Sequence, residues 1–226
     1  MTALSLHEVV KARGQGRQRV AALRGVTLAL APGDVVLLEG PSGSGKTTLL
    51  SVAAGLLTPD SGAVAIGGQD LAALGPAGTR ALRARRVGFV FQRANLLDGL
   101  DVRENVCIAA ALAGMSAAEG GAATDRLLDA LGLLALAHRR TEALSGGEEH
   151  RVAVARALVH RPAVVLADEP TGSLDGASGE AVARALTDLA RKDGVAVLIA
   201  THDARLRPFA TRRVVLVDGS LTEETP

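Results

Sequence analysis

Nine residues, Gly40-Pro41-Ser42-Gly43-Ser44-Gly45-Lys46-Thr47-Thr48, follow directly on the apolar run Val35–Leu38. The run has the length and composition of a strand buried on both faces, as parallel sheets require. The loop after it reads G-x-x-x-x-G-K-[ST] and must open a helix, which its composition carries from Lys46 to about Leu56. Gly40, Gly43 and Gly45 let the backbone curl so that successive N–H groups converge on one anion. The helix adds the positive end of its dipole at the same point. Lys46 supplies a point charge for β- and γ-phosphates, Thr47 a hydroxyl for Mg²⁺, and Pro41, Ser42, Ser44 and Thr48 complete the cradle. This unit of strand, glycine loop and helix commits the chain to α/β layering around a nucleoside triphosphate.

The remainder of the chain is consistent with that commitment. Residues 4–10 and 26–30 read as strands around the loop 13–17, and Pro32-Gly33-Asp34 as a turn. Thr58 to Gly62 breaks the chain, Ala63–Ile66 with Gly67-Gly68 forms a short hairpin, and Val87–Phe91 is a further strand. From about 100 to 160 the spacing turns helical, as in Asp125 to Leu131, and β-branched runs vanish, which predicts a helical subdomain inserted into the α/β core. Then come the strand Val164–Ala167, a helix over 177–192, the strand Val195–Ala200, and a closing pair at 213–217 and 221–222 across Asp218-Gly219. Strands alternating with helices predict a largely parallel sheet with its ligand at the strands' carboxyl ends. Only the tail 222–226 reads as frayed.

Composition removes several function classes. At 226 residues the chain can bury a large core, and its net charge of +1 shows no nucleic-acid footprint. Three Phe and no Trp or Tyr leave no stacking platform for single strands. Cys107 is alone, so no internal disulfide forms, and its apolar neighbours predict a buried, inert thiol. No export signal begins the chain, and no uncharged stretch approaches the about 20 apolar residues of a spanning helix, so the chain reads as soluble.

Two acids complete the phosphate site. Val164 to Ala167 is an apolar strand ending in Asp168-Glu169. Asp168 is positioned to hold the Mg²⁺ shell, and Glu169 to orient or deprotonate an attacking water. Upstream, Leu144-Ser145-Gly146-Gly147-Glu148 opens an apolar-patterned helix, a second helix N-terminus able to receive an anion. Two phosphate-seeking helix ends in one chain make sense if two chains meet head to tail and each γ-phosphate is clasped from both sides.

These motifs, in this order, resemble the nucleotide-binding subunit of ABC transporters over residues 4–222, in particular the lipoprotein-release and macrolide-export branch (LolD- and MacB-like), with the FtsE-like division ATPases nearby. The resemblance implies a single ABC ATPase domain over 1–226, with an N-terminal antiparallel β part, a P-loop core and an inserted helical subdomain. Under it, Gly40 to Thr48 match the Walker A loop, and Asp168 with Glu169 match Walker B and the catalytic carboxylate. Ser145, Gly146, Gly147 and Glu148 match the signature that binds a partner's nucleotide, and Asp175 in Ser173-Leu174-Asp175 matches the D-loop. Gln92 matches the Q-loop glutamine, which reaches Mg²⁺ or the lytic water, and His202 matches the switch histidine, a donor to the γ-phosphate in the transition state. ATP and Mg²⁺ are the implied cofactors. A second copy of the chain and a separate transmembrane permease are the implied partners, and the implied place is the inner face of the cell membrane. The permease is expected beside the Q-loop around 93–104, where Asp98, Asp101 and Glu104 could pair with basic residues of a coupling helix.

The chain departs from the family pattern twice. The family usually stacks adenine on an aromatic residue where this chain has Arg13, whose planar guanidinium can stack on a base. The signature is commonly followed by Gln-Gln, here Glu149-His150, which adds negative charge near a partner's nucleotide. Two other readings stay open: a regulatory ATPase that moves a membrane partner without transport, and a soluble ABC ATPase acting on DNA or ribosomes. Relatives of the latter kind usually carry a coiled-coil insertion or tandem domains, and neither occurs in this sequence.

Overall fold

Residues 2–14, 20–172, 174 and 176–224 are described by the computed structural model of the chain. Strands with alternating apolar positions build its first layer: β1 (Leu4–Arg13), β2 (Val20–Leu30), β4 (Ser61–Ile66) and β5 (Gln69–Asp70) form an antiparallel sheet in the order β2-β1-β4-β5. The second layer is a six-stranded sheet. From edge to edge it runs β10 (Ser220–Glu224), β9 (Arg212–Val217), β3 (Val35–Glu39), β8 (Ala196–Ala200), β7 (Val164–Asp168) and β6 (Val87–Val90). All neighbours in it are parallel except β10 and β9, the closing hairpin.

The continuous apolar runs at 35–38 and 164–167 occupy interior places in that sheet, and the strand alternation divides their side chains between two cores. Val35 and Leu37 with Val165 and Ala167 join one cluster, with α3 (Val102–Leu112), α5 (Gly146–Leu158) and α6 (Gly176–Asp193). Val36 and Leu38 with Val164 and Leu166 join the other, with α1 (Lys46–Ala53) and the antiparallel sheet. The helical segment between the sheet strands comprises α3, α4 (Ala117–Ala130) and α5, within the range that spacing predicts. Each begins with a reciprocal capping box, Asp101/Glu104, Ser116/Glu119 and Ser145/Glu148 respectively, which satisfies two of the orphan donors at its first turn.

One helix has no counterpart in the sequence reading, and two expectations need correction. A helix, α2 (Leu71–Arg86), fills the stretch before β6, so Arg83, Arg85 and Arg86 form its last turn. Gly75, at φ 64°, with Pro76 next to it, splits it into two pieces and interrupts the periodicity that would have revealed it. Strand β2 begins at Val20, well before residue 26, because it follows β1 through a ladder with three register shifts rather than a clean alternation. Cys107 is half-buried, its Sγ 3.3 Å from the Thr124 hydroxyl, because position 107 falls on the flank of α3 and not on its inner face.

Candidate functional site

The glycine loop leaves the buried end of β3 and turns into α1. Gly40 has φ 147°, and a Cβ there would stand 2.2 Å from the Leu216 carbonyl oxygen; at Gly45, with φ 109°, it would stand 2.4 Å from that of Ala22. Both glycines are therefore required for space as well as for conformation. Lys46 Nζ donates to the carbonyls of Gly40 and Pro41 at 2.8 and 2.9 Å, lying across the mouth of the loop. Among the described residues the buried Ser44 hydroxyl has no partner, an unmet polar atom that fits a ligand able to accept or donate there.

Strand β7, parallel to β6 and β8, delivers the two acids. Asp168 accepts a hydrogen bond from the Thr47 hydroxyl at 2.7 Å, so the two groups expected to hold Mg²⁺ already face each other. Burial raises the Asp168 pKa above the ordinary carboxylate value, and the Glu169 charge raises it further. The Thr47 hydrogen bond and the Lys46 charge pull the other way. Glu169 sits at φ 49°, and its N–H donates to Ala200 O, which pins the residue to the end of β8. Its carboxylate lies 2.8 Å from His202 Nδ1 and accepts the Thr201 hydroxyl at 3.2 Å. Glu169 is thus oriented by two donors, while the His202 ring stands 77% exposed.

Most of these residues line one cleft of about 450 Å³, though Gly40, Pro41 and His202 are not in its lining. Ser42 to Thr48, Asp168 and Glu169 form its phosphate end, and Gln92, just beyond β6, stands on its wall. At the other end lie Arg13, Arg24, Asp218 and Gly219. Arg24, Asp218 and Gly219 escape a sequence reading, because the turn after β9 meets β2 only in three dimensions, where Arg24 N donates to Gly219 O at 2.8 Å.

The signature stands apart from that cleft. Ser145 is exposed and bound into its capping box, with its hydroxyl 2.8 Å from Glu148 Oε2. The Ser145 N–H and hydroxyl hold the Glu148 pKa below the ordinary value. Helix α5 reaches α6 through Arg151, which donates to Ser178 at 2.9 Å. Glu149 faces a recess it shares with Asp98 and Glu142. His150 is buried, and burial lowers its pKa. Asp175 lies outside the described residues. The acids expected to meet a coupling helix are partly engaged: Asp101 and Glu104 cap α3, and His138 lies 3.3 Å from Asp101.

The profile of one protein family, described as ABC transporter, matches residues 23–172. The chain is 41% identical over 224 residues to the lipoprotein-releasing system ATP-binding protein LolD of Geobacter metallireducens, covering 98% of each. It is 42% identical over 222 residues to the macrolide export ATP-binding/permease protein MacB of Marinobacter nauticus, a match that takes in 98% of this chain but only 34% of that longer protein. Among solved structures, the dimeric ATP-binding cassette MJ0796 in a post-hydrolysis state bound to ADP and Pi superposes with a TM-score of 0.91. It is 33% identical, with 99% of both chains covered.

Proposed function

The chain belongs to the ABC transporter family, and from that premise we propose that it is an ATP-hydrolysing subunit that dimerises head to tail around two nucleotides and drives a separate permease in export or lipoprotein release. The observation that carries this reading is the single cleft shared by Ser42 to Thr48, Gln92, Asp168 and Glu169. A second helix N-terminus at Ser145 stands outside that cleft, free to clasp a partner's phosphate.

In the mechanism, the loop N–H groups and Lys46 bind the phosphates, and Lys46 gives up two backbone carbonyls to do so. Thr47 and Asp168 would hold Mg²⁺, which supplies charge neutralisation on the phosphates when bound. Gln92 orients the water, and Glu169 takes its proton or fixes its lone pair toward phosphorus. His202, whose Nδ1 lies against Glu169, donates to the γ-phosphate as charge develops in the transition state. Ser145, Gly146, Gly147 and Glu148 of one copy close over the nucleotide of the other. Hydrolysis reopens the dimer and passes the motion to the permease; among the described residues no helix is long and apolar enough to cross a membrane. That partner holds the chain at the inner face of the membrane.

The test is Mg-ATP hydrolysis by the purified chain and by Glu169→Gln. We expect the variant to lose about 100-fold or more in kcat and to elute as a dimer when ATP is present. An inactive wild-type protein, or a variant as fast as wild type, would remove the assignment of Glu169.

A further inference from the structure

His202 stands at the start of a loop that leaves the six-stranded sheet and returns to it beside one strand. Thr201 N donates to Leu38 O at 3.2 Å where the loop leaves β8, and Thr211 N donates to Val35 O at 2.8 Å where it enters β9. Between these points runs a short 3-10 helix, Ala204–Phe209, whose Leu206 is buried and whose Phe209 packs on the core shared with α6. Both ends of the loop are thus fastened to β3, the strand that carries the phosphate loop.

The middle of the loop is fastened to β3 as well, by a different kind of contact. Arg207 Nε and Nη2 donate to Glu39 Oε1 and Oε2 at 2.9 and 3.1 Å, two parallel bonds that fix angle as well as distance. Glu39 is the last residue of β3 and directly precedes Gly40, whose carbonyl accepts from Lys46 Nζ. Strand alternation puts Glu39 on the same side as Val35 and Leu37, positions given over to the apolar core. An apolar side chain would suit that place, yet it holds a carboxylate only 15% exposed, paired with a guanidinium that is 52% exposed. An ion pair so open to solvent adds little to stability. What it supplies is geometry: one hydrogen-bonded fork joins the entrance of the phosphate loop to the segment that follows His202.

We propose that Glu39 and Arg207 are positioning residues for hydrolysis. Their fork sets the His202 segment in register with the phosphate loop, so that the imidazole meets the γ-phosphate held by Gly40 to Thr48. Neither side chain lines the nucleotide cleft, so the pair acts through His202 and not on the nucleotide. The inference rests on the role given to His202 above. On its other side His202 meets Glu169, whose carboxylate is 2.8 Å from Nδ1. The two contacts together reference the ring to both halves of the phosphate site, the glycine loop and the acids after β7.

The test is ATP hydrolysis by the full chain carrying Glu39→Gln, Arg207→Met or both, each made also in a His202→Ala background. Single-turnover rates on radiolabelled ATP keep the slow backgrounds measurable. We expect each single change to lower kcat about fivefold, the upper range for an exposed ion pair, with KM within about twofold of wild type. The double variant should lose no more than either single one. With His202 replaced, the same changes should cost nothing further, because the pair then has nothing to position. Glu39→Gln keeps the shape of the side chain and an acceptor oxygen, so it serves as the reporter if Arg207→Met melts early. A loss of the same size in the His202→Ala background, a rise in KM with kcat unmoved, or no change at all overturns the positioning role and leaves His202 standing. His202→Ala as fast as wild type overturns the role of His202 itself, and this inference with it.

Discussion

Asp168 shows how a functional residue is kept at the expense of the fold around it. It is buried, and burial raises its pKa, so its charge is disfavoured in the folded chain relative to the unfolded one. The contribution of this group to stability is therefore most favourable below about pH 4, declines as pH rises through the raised folded value, and is flat beyond it. Asp168→Asn should accordingly stabilise the nucleotide-free chain at pH 7 by about 1 kcal/mol while abolishing Mg²⁺-dependent hydrolysis. Thermal melts at pH 7 and below pH 4 check this, since the advantage should vanish at the lower pH. Arg13, which we propose as the position that stacks the base, makes the opposite case, since the family's usual aromatic is missing there. With a guanidinium to stack on and Arg24, Asp218 and Gly219 nearby, the base end has little to tell adenine from guanine. Arg13→Tyr is expected to lower KM for ATP severalfold with little change in kcat, measured against GTP as comparator. An unaltered KM would show that the base does not rest there. The phosphate half of this site was legible in the sequence because its residues are contiguous and its chemistry fixes their spacing. Of the other lining residues only Arg13 was, through the family resemblance, since Arg24 and Asp218 share no local pattern with it.

At the scale of elements, the catalytic loops are tied to one another as well as to their strands. After β7 the chain runs to Thr171, whose hydroxyl donates to Asp203 at 2.9 Å, and Asp203 follows His202 beyond β8. The Arg205 side chain, chiefly, together with its backbone N–H and the Thr171 hydroxyl, holds Asp203 down to about 2 against the cost of partial burial. A depressed carboxylate stabilises the fold above its unfolded pKa and loses that effect as pH falls toward the folded value. Asp203→Asn should therefore lower Tm at pH 7, and the gap to wild type should close between about pH 4 and pH 2. A gap that persists at the acid end would assign the effect to packing. Elements with a regular apolar pattern, such as α5 and the buried strands, could be read from sequence. Helix α2 could not, because Gly75 and Pro76 interrupt it and none of its described residues is buried. A helix with no buried face leaves no apolar period to detect.

For the whole molecule, α/β class and a largely parallel sheet followed from alternation, but strand order did not. That β3 lies between β8 and β9, far apart in sequence, is decided by which apolar faces cover one another and leaves no trace in spacing. This placement has a dynamic consequence. Because β3, β7 and β8 bury one set of side chains in each of two cores, a one-residue slip of any of them would exchange both sets at once. Amide hydrogens along these strands should then exchange with solvent only through global unfolding. The glycine loop, Asp168 and Glu169 are hung directly from their ends, so the protein's slowest clock runs beside its fastest chemistry. Deuterium uptake should be slowest at Val36 to Leu38 and Val165 to Ala167, and nucleotide should slow its neighbours far more than it slows them.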